Sequence, residues 1–198
     1  MPVITDLKPQ RRGGYINVLV DGEFVCGLSD YQVALFGLHV GDEITHERIC
    51  ELQTSSVVGK GYAAALRFLS YRIRSIGEVR QYLSRKEYPE DVTDALLQRL
   101  IREKYLNDAN FAQRWVRMRM DQNRSIATIR AELIKKQINV ADIQRALDEI
   151  DSDDIKKQIH YLLQKKRPLY ATPEKLVQYL LRKGFRYSDI KQVMTESE

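Results

Sequence analysis

One pattern of apolar and basic positions occurs three times between residues 79 and 185. Each copy has an apolar residue, a Leu four positions later, a Lys seven positions later and another apolar residue nine positions later. The copies are Val79, Leu83, Lys86 and Tyr88; Ile129, Leu133, Lys136 and Ile138; and Leu176, Leu180, Lys183 and Phe185. Their starts lie 50 and 47 residues apart, which indicates tandem supersecondary units. Because one short unit cannot bury its apolar face alone, we expect the units to stack.

Helix-start signals precede each copy of the pattern. Ser75 can cap the helix of the first copy, and Glu78 three residues later completes a capping box. Ser125 can cap the helix of the second copy. Thr172 can cap that of the third, with Pro173 in the first helical turn. Further helical segments lie before and after each copy, so each unit is predicted to contain three helices.

The second unit opens with a segment that has two candidate caps and an aromatic face. Either Asn107 or Asp108 can cap its first helix. Phe111 lies four residues before Trp115, a spacing that places both on one helical face. We therefore expect Trp115 in the core, with stacking on nucleic-acid bases as the alternative.

The first part of the chain follows a strand pattern instead. Residues 15–28, YINVLVDGEFVCGL, contain Asp21-Gly22 between β-branched and aromatic residues, which predicts a hairpin with a type I′ turn. The preceding VITDLKP can supply another strand, and a short helix from about Asp30 leads to a strand-like end. A head this small buries little core, so we expect it to pack on the helices that follow.

The predicted fold is therefore mainly α. It has three tandem three-helix repeats that form an elongated curved array, preceded by a small β-rich N-terminal domain. The predicted boundaries are 1–57 for the head, 58–105 for the first repeat, 106–151 for the second and 152–198 for the third.

The positive charge of the chain lies in the predicted repeats. The net charge is +5, but residues 1–58 have 4 Lys and Arg against 8 Asp and Glu, whereas residues 59–198 have 28 against 19. A basic array suits a polyanion, because neutralising phosphates releases counterions. The alternative is an ordinary solvated helix surface, which a chain with 30% charged residues would also present.

Residues that could support catalysis or metal binding are few. His39, His46 and His160 are scattered, and the two cysteines have no metal-ligand spacing. No G-x-x-x-x-G-K-[ST] loop occurs. We expect no enzyme activity and no cofactor. No apolar run is long enough to span a membrane, and the start of the chain lacks a secretory signal, so we expect a cytoplasmic protein.

Basic residues are the more informative candidates, since Arg and Lys both bind phosphate and carboxylate groups. The candidate surface that contacts a partner protein or DNA comprises Arg72, Arg74, Arg80, Arg85, Lys86, Arg114, Arg117, Arg119, Arg124, Lys135, Lys136, Lys165, Lys166, Arg167 and Lys183. These positions do not all share one helical face. We expect about half of them to line a common groove once the units stack.

Two stretches of the repeat region resemble the RecX family of recombination regulators: ALRFLSYRIRSIGEVRQYL (65–83) and YLNDANFAQRWVRMR (105–119). The matching residues are Arg72, Arg74, Ser75, Glu78, Leu83, Leu106, Asp108, Phe111 and Ala112. The resemblance covers about residues 60–198, and the head is similar to an N-terminal extension that some members carry. Gln137, where a Gly often sits, and Ile126-Ala127, where a Gly-containing turn is common, depart from the family pattern.

The resemblance implies a non-enzymatic regulator of the RecA recombinase, with roles in DNA repair and recombination. Such proteins lie in the helical groove of the RecA–DNA filament and suppress ATP hydrolysis and strand exchange. The expected partners are the RecA filament and single-stranded DNA, with double-stranded DNA as a further candidate. We expect a monomer. The alternative is a free-standing DNA-binding protein whose three-helix units act as helix-turn-helix bundles.

Overall fold

The computed structural model describes residues 1–11, 14–170 and 172–196. Three strands come first, β1 (Ile4–Pro9), β2 (Tyr15–Val20) and β3 (Glu23–Ser29). Helices follow: α1 (Asp30–Phe36), α2 (His46–Ser70), α3 (Ile76–Arg85), α4 (Glu90–Arg102), α5 (Asp108–Asp121), α6 (Ile126–Lys135), α7 (Val140–Asp148), α8 (Ser152–Lys166), α9 (Pro173–Arg182) and α10 (Tyr187–Thr195). A 3-10 turn, Arg167–Leu169, follows α8. The mainly α fold with a small β-rich N-terminal part is confirmed.

The chain forms two compact units. The first contains Met1–Arg72 and Val79–Glu103, and the second contains Ile73–Glu78 and the chain from Lys104 onwards. The predicted boundary between residues 57 and 58 falls inside α2, so no linker separates the head from the first repeat. The division into a head and three repeats, and the elongated curved array, stay predictions.

The head is an antiparallel sheet in the order β1-β2-β3 that packs on α2. Asp21 and Gly22 both have positive φ, 51° and 85°, as the predicted type I′ turn between β2 and β3 requires. Leu52 of α2 is buried in the same core as the strands, and the buried Ser56 hydroxyl donates a hydrogen bond to the Gly27 carbonyl at 2.7 Å. The expected packing of the head on a following helix is therefore confirmed.

The strand-like end predicted before α2 is wrong. It forms a single bridge, between Val3 and Glu43, and no longer ladder among the described residues. Ile44 donates its N–H to the Pro2 carbonyl at 2.8 Å, but Thr45 is already the N-cap of α2. The segment is too short to extend the pairing before the helix begins.

The threefold sequence pattern corresponds to one helix ending, formed at the ends of α3, α6 and α9. In each copy, the apolar residue nine positions after the first donates its N–H to the carbonyl of the Leu four positions after the first. The three bonds are Tyr88 to Leu83 (3.3 Å), Ile138 to Leu133 (3.2 Å) and Phe185 to Leu180 (3.2 Å). This bond, together with one from the preceding residue to the carbonyl three positions before it, defines a Schellman motif. The threefold sequence pattern therefore marks the end of a helix and the apolar residue that follows the left-handed turn.

A Schellman motif needs one residue in the left-handed conformation just after the helix. That residue is Glu87 (φ 60°), Gln137 (φ 61°) and Gly184 (φ 84°) in the three motifs. Gln137 thus adopts the left-handed conformation that a Gly would adopt without strain, and both hydrogen bonds of the motif are still formed at this departure from the family pattern. Ile126-Ala127 likewise forms the regular first turn of α6.

Two of these three helix endings, those of α6 and α9, are contacted by serine caps from another part of the chain. The Ser75 hydroxyl accepts from the Glu78 N–H at 3.1 Å and donates to the Lys136 carbonyl at the end of α6 at 2.9 Å. The Ser125 hydroxyl accepts from the Thr128 N–H at 3.3 Å and donates at 2.6 Å to the Lys183 carbonyl at the end of α9. Both serines are buried. We call these contacts the first junction and the second junction.

The capping predictions for these helices hold. Ser75 and Glu78 form the predicted capping box, because the Glu78 carboxylate accepts the Ser75 N–H at 3.2 Å. Asn107, the first of the two candidates, caps α5 by accepting the Asn110 N–H at 2.9 Å. Thr172 occupies the N-cap position of α9, although its side chain makes no capping hydrogen bond.

Replacing Gln137 with Gly tests the helix-stop geometry. A left-handed backbone costs an ordinary residue about 1–2 kcal/mol, and the greater freedom of Gly in the unfolded chain offsets about 0.4–1 kcal/mol of that. We expect a gain of about 0.5–1 kcal/mol in the free energy of unfolding, measured by urea denaturation. Gly184→Ala should lose stability, because its Cβ would lie 2.7 Å from the Ser125 Oγ. A loss for Gln137→Gly would contradict the left-handed assignment.

Candidate nucleic-acid interface

The predicted basic residues of the first compact unit are exposed. Arg72, Arg85 and Lys86 lie at the surface, and the Arg85 Nε donates to the Gln81 carbonyl at 3.2 Å. Arg80 is already paired, since its Nη1 lies 2.5 Å from the Asp94 carboxylate. A surface ion pair of this kind contributes little to stability, so Arg80 can exchange partners at low cost.

At the first junction the basic side chains are neutralised within the protein. The Lys136 Nζ lies 2.7 Å from the Glu78 carboxylate, and both side chains are largely buried, at 16% and 17% exposure. The same ammonium group lies 4.2 Å from the centre of the Trp115 ring. Lys136, a predicted binding residue, therefore connects the capping box of Ser75 to the end of α6.

Arg119 is neutralised in a similar way on the neighbouring helix. Its Nε lies 2.6 Å from the Glu132 carboxylate, and its guanidinium carbon lies 4.4 Å from the centre of the Trp115 ring. The Trp115 Nε1 donates to the same carboxylate at 2.8 Å, while its ring stacks on Phe111 at 5.6 Å. Trp115 is half-buried against the core, as expected.

Asp108 completes the first junction. Its carboxylate accepts the N–H of Ile76, at the start of α3, at 2.9 Å. Burial raises the pKa of Asp108, and the bond from the Ile76 N–H partly opposes that rise. Asp108 thus accepts a backbone N–H at the start of another helix, α3. Its own position at the start of α5 does not predict this role.

The second junction opens into a basic cleft of about 210 Å³. Four predicted binding residues line it: Arg124, Lys165, Lys166 and Lys183. The other lining residues are Gln122, Asn123, Ser125, Thr128, Tyr161, Leu162 and Tyr179. No carboxylate is among these lining residues, and none of the four cations has an ion pair within the described ranges. We refer to this group as the basic cleft.

Lys165 is positioned in the basic cleft by an aromatic residue one turn earlier. Its Nζ donates to the Tyr161 hydroxyl at 2.8 Å and lies 5.1 Å from the centre of that ring. The hydrogen bond from its ammonium group to the Tyr161 hydroxyl raises the pKa of Lys165 above its usual value. Lys183 lies 5.7 Å from the ring centre of Tyr179 on the other side.

Arg117 lies in a different cleft, of about 450 Å³, whose lining includes the carboxylates of Asp121, Glu149 and Asp154. Its surroundings are thus mixed in charge. Among the remaining candidates, Arg74 is half-buried, whereas Arg114, Lys135 and Arg167 are exposed. The second compact unit therefore brings four of its ten predicted residues after Lys104 into one cleft.

Sequence reasoning considered the tyrosines in general for stacking on bases but did not single out the neutral side chains of the basic cleft. Tyr161 and Tyr179 flank its lysines, and Thr128 lines it beside the Ser125 cap. The Tyr161–Lys165 spacing of four residues could have indicated a shared helical face. The approach of Thr128 to the end of α9 depends on the second junction and had no local signal.

Two negative observations complete the description. Across residues 1–11, 14–170 and 172–196, no group of three or more His, Cys, Asp and Glu side chains could hold a metal ion. Within the same ranges, no helix is both long and apolar enough to cross a membrane.

A double-mutant cycle on Glu78→Gln and Lys136→Met tests whether the first junction is structural. We expect a coupling energy of about 1–2 kcal/mol, because both charges are largely removed from water and hydrogen-bonded. The exposed pair Asp154–Lys157, at 58% and 76% exposure, is the matched control and should give about 0.5 kcal/mol or less. Equal coupling in the two cycles, measured by urea unfolding, would show that Lys136 is an ordinary surface cation.

Comparison with known proteins gives matches to two three-helix domains. Residues 62–100 match the sequence model of the first three-helix domain of RecX, and residues 107–147 match that of the second. The regulatory protein RecX of Bacillus subtilis (strain 168) is 31% identical over 206 residues, which cover 100% of this chain and 78% of that protein. RecX of Bacillus cytotoxicus is 31% identical over 209 residues, covering 99% and 77%.

Solved structures agree with these matches. A crystal structure of regulatory protein RecX superimposes with a TM-score of 0.82 at 24% identity and covers 98% of this chain and 100% of that one. RecX from Lactobacillus salivarius gives a TM-score of 0.66 at 30% identity, covering 71% and 96%. The repeat matches, the full-length relatives and the shared fold together show that this chain belongs to the RecX family of regulatory proteins.

Proposed function

We propose that this protein regulates the RecA recombinase by binding the RecA–DNA filament. It lies in the filament groove and inhibits ATP hydrolysis and strand exchange. Membership of the RecX family is the observation that carries this proposal. The basic cleft supports it physically, because a filament groove presents phosphate and carboxylate groups to a bound protein.

Occupancy of the groove explains the inhibition without any bond-making by this chain. A protein that contacts DNA and RecA at once stabilises the arrangement to which it binds, and the filament must leave that arrangement to turn over. The cations of the basic cleft supply the contact with a polyanion. The exposed arginines outside it, such as Arg114, supply contacts with carboxylates on RecA. We propose that the protein does this as a cytoplasmic monomer.

A free-standing DNA-binding protein is the second candidate. The basic cleft favours it, because the same cations would bind DNA phosphates with no RecA present. Sequence-dependent binding to duplex DNA without RecA would distinguish it, since a recognition helix in the major groove discriminates between base pairs. Binding to the filament groove requires no such preference.

A RecA ATPase assay on single-stranded DNA, titrated with this protein, tests the proposal. We expect the wild type to suppress ATP hydrolysis in a concentration-dependent manner. The double variant Lys165→Gln/Lys183→Gln should need roughly tenfold more protein for the same inhibition, which corresponds to about 1.4 kcal/mol of binding free energy. Lys175→Gln/Lys191→Gln removes two exposed charges outside the cleft lining and should change the titration less than twofold.

The assay can contradict the proposal in two ways. A wild-type protein that leaves RecA ATPase unchanged at saturating concentration would refute RecA regulation. Equal losses in the two double variants would show that net charge, and not the basic cleft, determines binding. Thermal melts of both variants should coincide with that of the wild type, because all four lysines are exposed.

Salt dependence gives an independent test of the DNA contact. If the protein neutralises DNA phosphates, the logarithm of its filament affinity should fall linearly with the logarithm of salt concentration, with a slope of about −0.7 per phosphate on a single strand. Fluorescence anisotropy of labelled filaments measures this slope. A flat response would leave protein contacts alone as the basis of binding.

A further inference from the structure

The two junctions share their geometry but differ in charge balance. At the first junction, two cations are matched by two carboxylates: Lys136 by Glu78 and Arg119 by Glu132. The second and third copies of the sequence pattern are 47 residues apart, so this offset gives the equivalent positions at the second junction. Lys183 corresponds to Lys136, Lys166 corresponds to Arg119, and Tyr179 corresponds to Glu132. The second junction therefore keeps both cations and replaces one of the carboxylates with a tyrosine.

The other carboxylate is replaced as well. Glu78 is the third residue after the cap Ser75, and the equivalent residue after Ser125, 50 positions later, is Thr128. The Thr128 hydroxyl donates to the Lys183 carbonyl at 3.2 Å, so this side chain is engaged with backbone and offers no charge to the Lys183 ammonium. Both internal anions of the first junction are thus absent from the second.

Two further cations add to the imbalance. Arg124 and Lys165 line the same cleft, and the described residues around it provide no carboxylate. Four cationic side chains that line one cleft of about 210 Å³ repel one another, and an anion placed in the cleft relieves that repulsion. The volume is below the roughly 300–1,000 Å³ of clefts that enclose drug-sized ligands. The cleft therefore suits one compact anionic group of a larger ligand, and the rest of that ligand lies outside the cleft.

We propose that the basic cleft binds a phosphodiester group of single-stranded nucleic acid, held where the Glu78 carboxylate lies at the first junction. Lys183, Lys165 and Arg124 contact the phosphate oxygens. Tyr161, which is 45% exposed, provides a face for an unstacked base. A duplex keeps its bases paired and stacked, so a single strand gains more from this arrangement.

This inference deepens the proposed function, because it names the strand and the site through which the protein contacts nucleic acid. It does not require RecA, since the cleft lies wholly within one compact unit of this chain. The two proposals can therefore fail separately.

Thr128→Glu is the decisive variant. It restores at the second junction the carboxylate that the first junction has, and a Glu at this position also completes a capping box with Ser125. The melting temperature should stay the same or rise. Binding of the full-length protein to a fluorescein-labelled oligothymidylate of about 16 nucleotides, measured by anisotropy without RecA, should weaken at least tenfold.

Two further variants complete the design. Ala141→Glu introduces the same charge at an exposed position in the first turn of α7, outside the cleft lining, and should change the dissociation constant less than twofold. Lys183→Gln should weaken binding and reduce the log–log salt slope by about 0.7, the value for one lost phosphate contact on a single strand.

Oligonucleotide binding by Thr128→Glu that equals the wild type would overturn the proposal, as would competition by polyglutamate as effective as that by unlabelled strand. Tighter binding of a duplex of the same length would also overturn it. RecA ATPase measured on the same samples separates the two proposals. If the wild type does not inhibit RecA but Thr128→Glu still abolishes oligonucleotide binding, the cleft stands and RecA regulation fails.

Discussion

A serine hydroxyl that serves two helices at once is the contact on which the second compact unit depends. As an N-cap, each serine satisfies an N–H at the start of its own helix. As a donor, it satisfies a carbonyl at the end of another helix, where backbone acceptors have no partner within their own helix. Ser75 and Ser125 do this at equivalent positions, with donor–acceptor distances of 2.9 and 2.6 Å to Lys136 and Lys183. Loss of the buried Ser75 hydroxyl would remove the side-chain donor of the Lys136 carbonyl, whereas the Lys183 carbonyl would keep the Thr128 hydroxyl if Ser125 were lost.

The Schellman motifs make that contact possible. A left-handed residue turns the chain directly after each helix, so the carbonyl before it stays open to the serine. Gly77 shows how close the approach is: a Cβ on this residue would lie 2.8 Å from the Lys136 carbonyl oxygen and 2.7 Å from the Gln137 Cβ. The helix stop, the serine cap and the nearby small residue are therefore one structural device, which the chain uses twice.

Repetition of a device permits the two copies to diverge in charge. Carboxylates at the first junction convert Lys136 and Arg119 into structural cations, whereas the second junction leaves its lysines facing a cleft with no carboxylate in its lining. The same backbone arrangement holds neutralised cations at the first junction and, at the second, the open cations for which we propose an anionic ligand. The cations of the basic cleft repel one another, and the hydroxyl-to-carbonyl hydrogen bonds of the second junction hold the helices together against this repulsion.

Patterns among residues close together in the sequence predicted most of the secondary structure of this protein. The Ser75–Glu78 capping box and the Asp21-Gly22 turn each depend on residues close together in the chain, so they predicted a helix start and the hairpin. The threefold Leu–Lys–apolar spacing predicted tandem units, and the structure shows that it also marks the ends of three helices. Resemblance over residues 65–83 and 105–119 gave the family. The sequence marks Gln137 only as a departure from the family pattern, and its left-handed conformation is seen only in the structure.

Only the tertiary structure decided which basic residues remain available to a ligand. Lys136 and Lys183 occupy equivalent positions in the sequence pattern, and nothing local distinguishes them. Their difference arises from Glu78 and Thr128, which lie more than 50 residues away along the chain and approach them only when the junctions form. Charge pairing acts through space over a few ångströms, so the neutralised and the open cations cannot be separated until the fold has placed their neighbours.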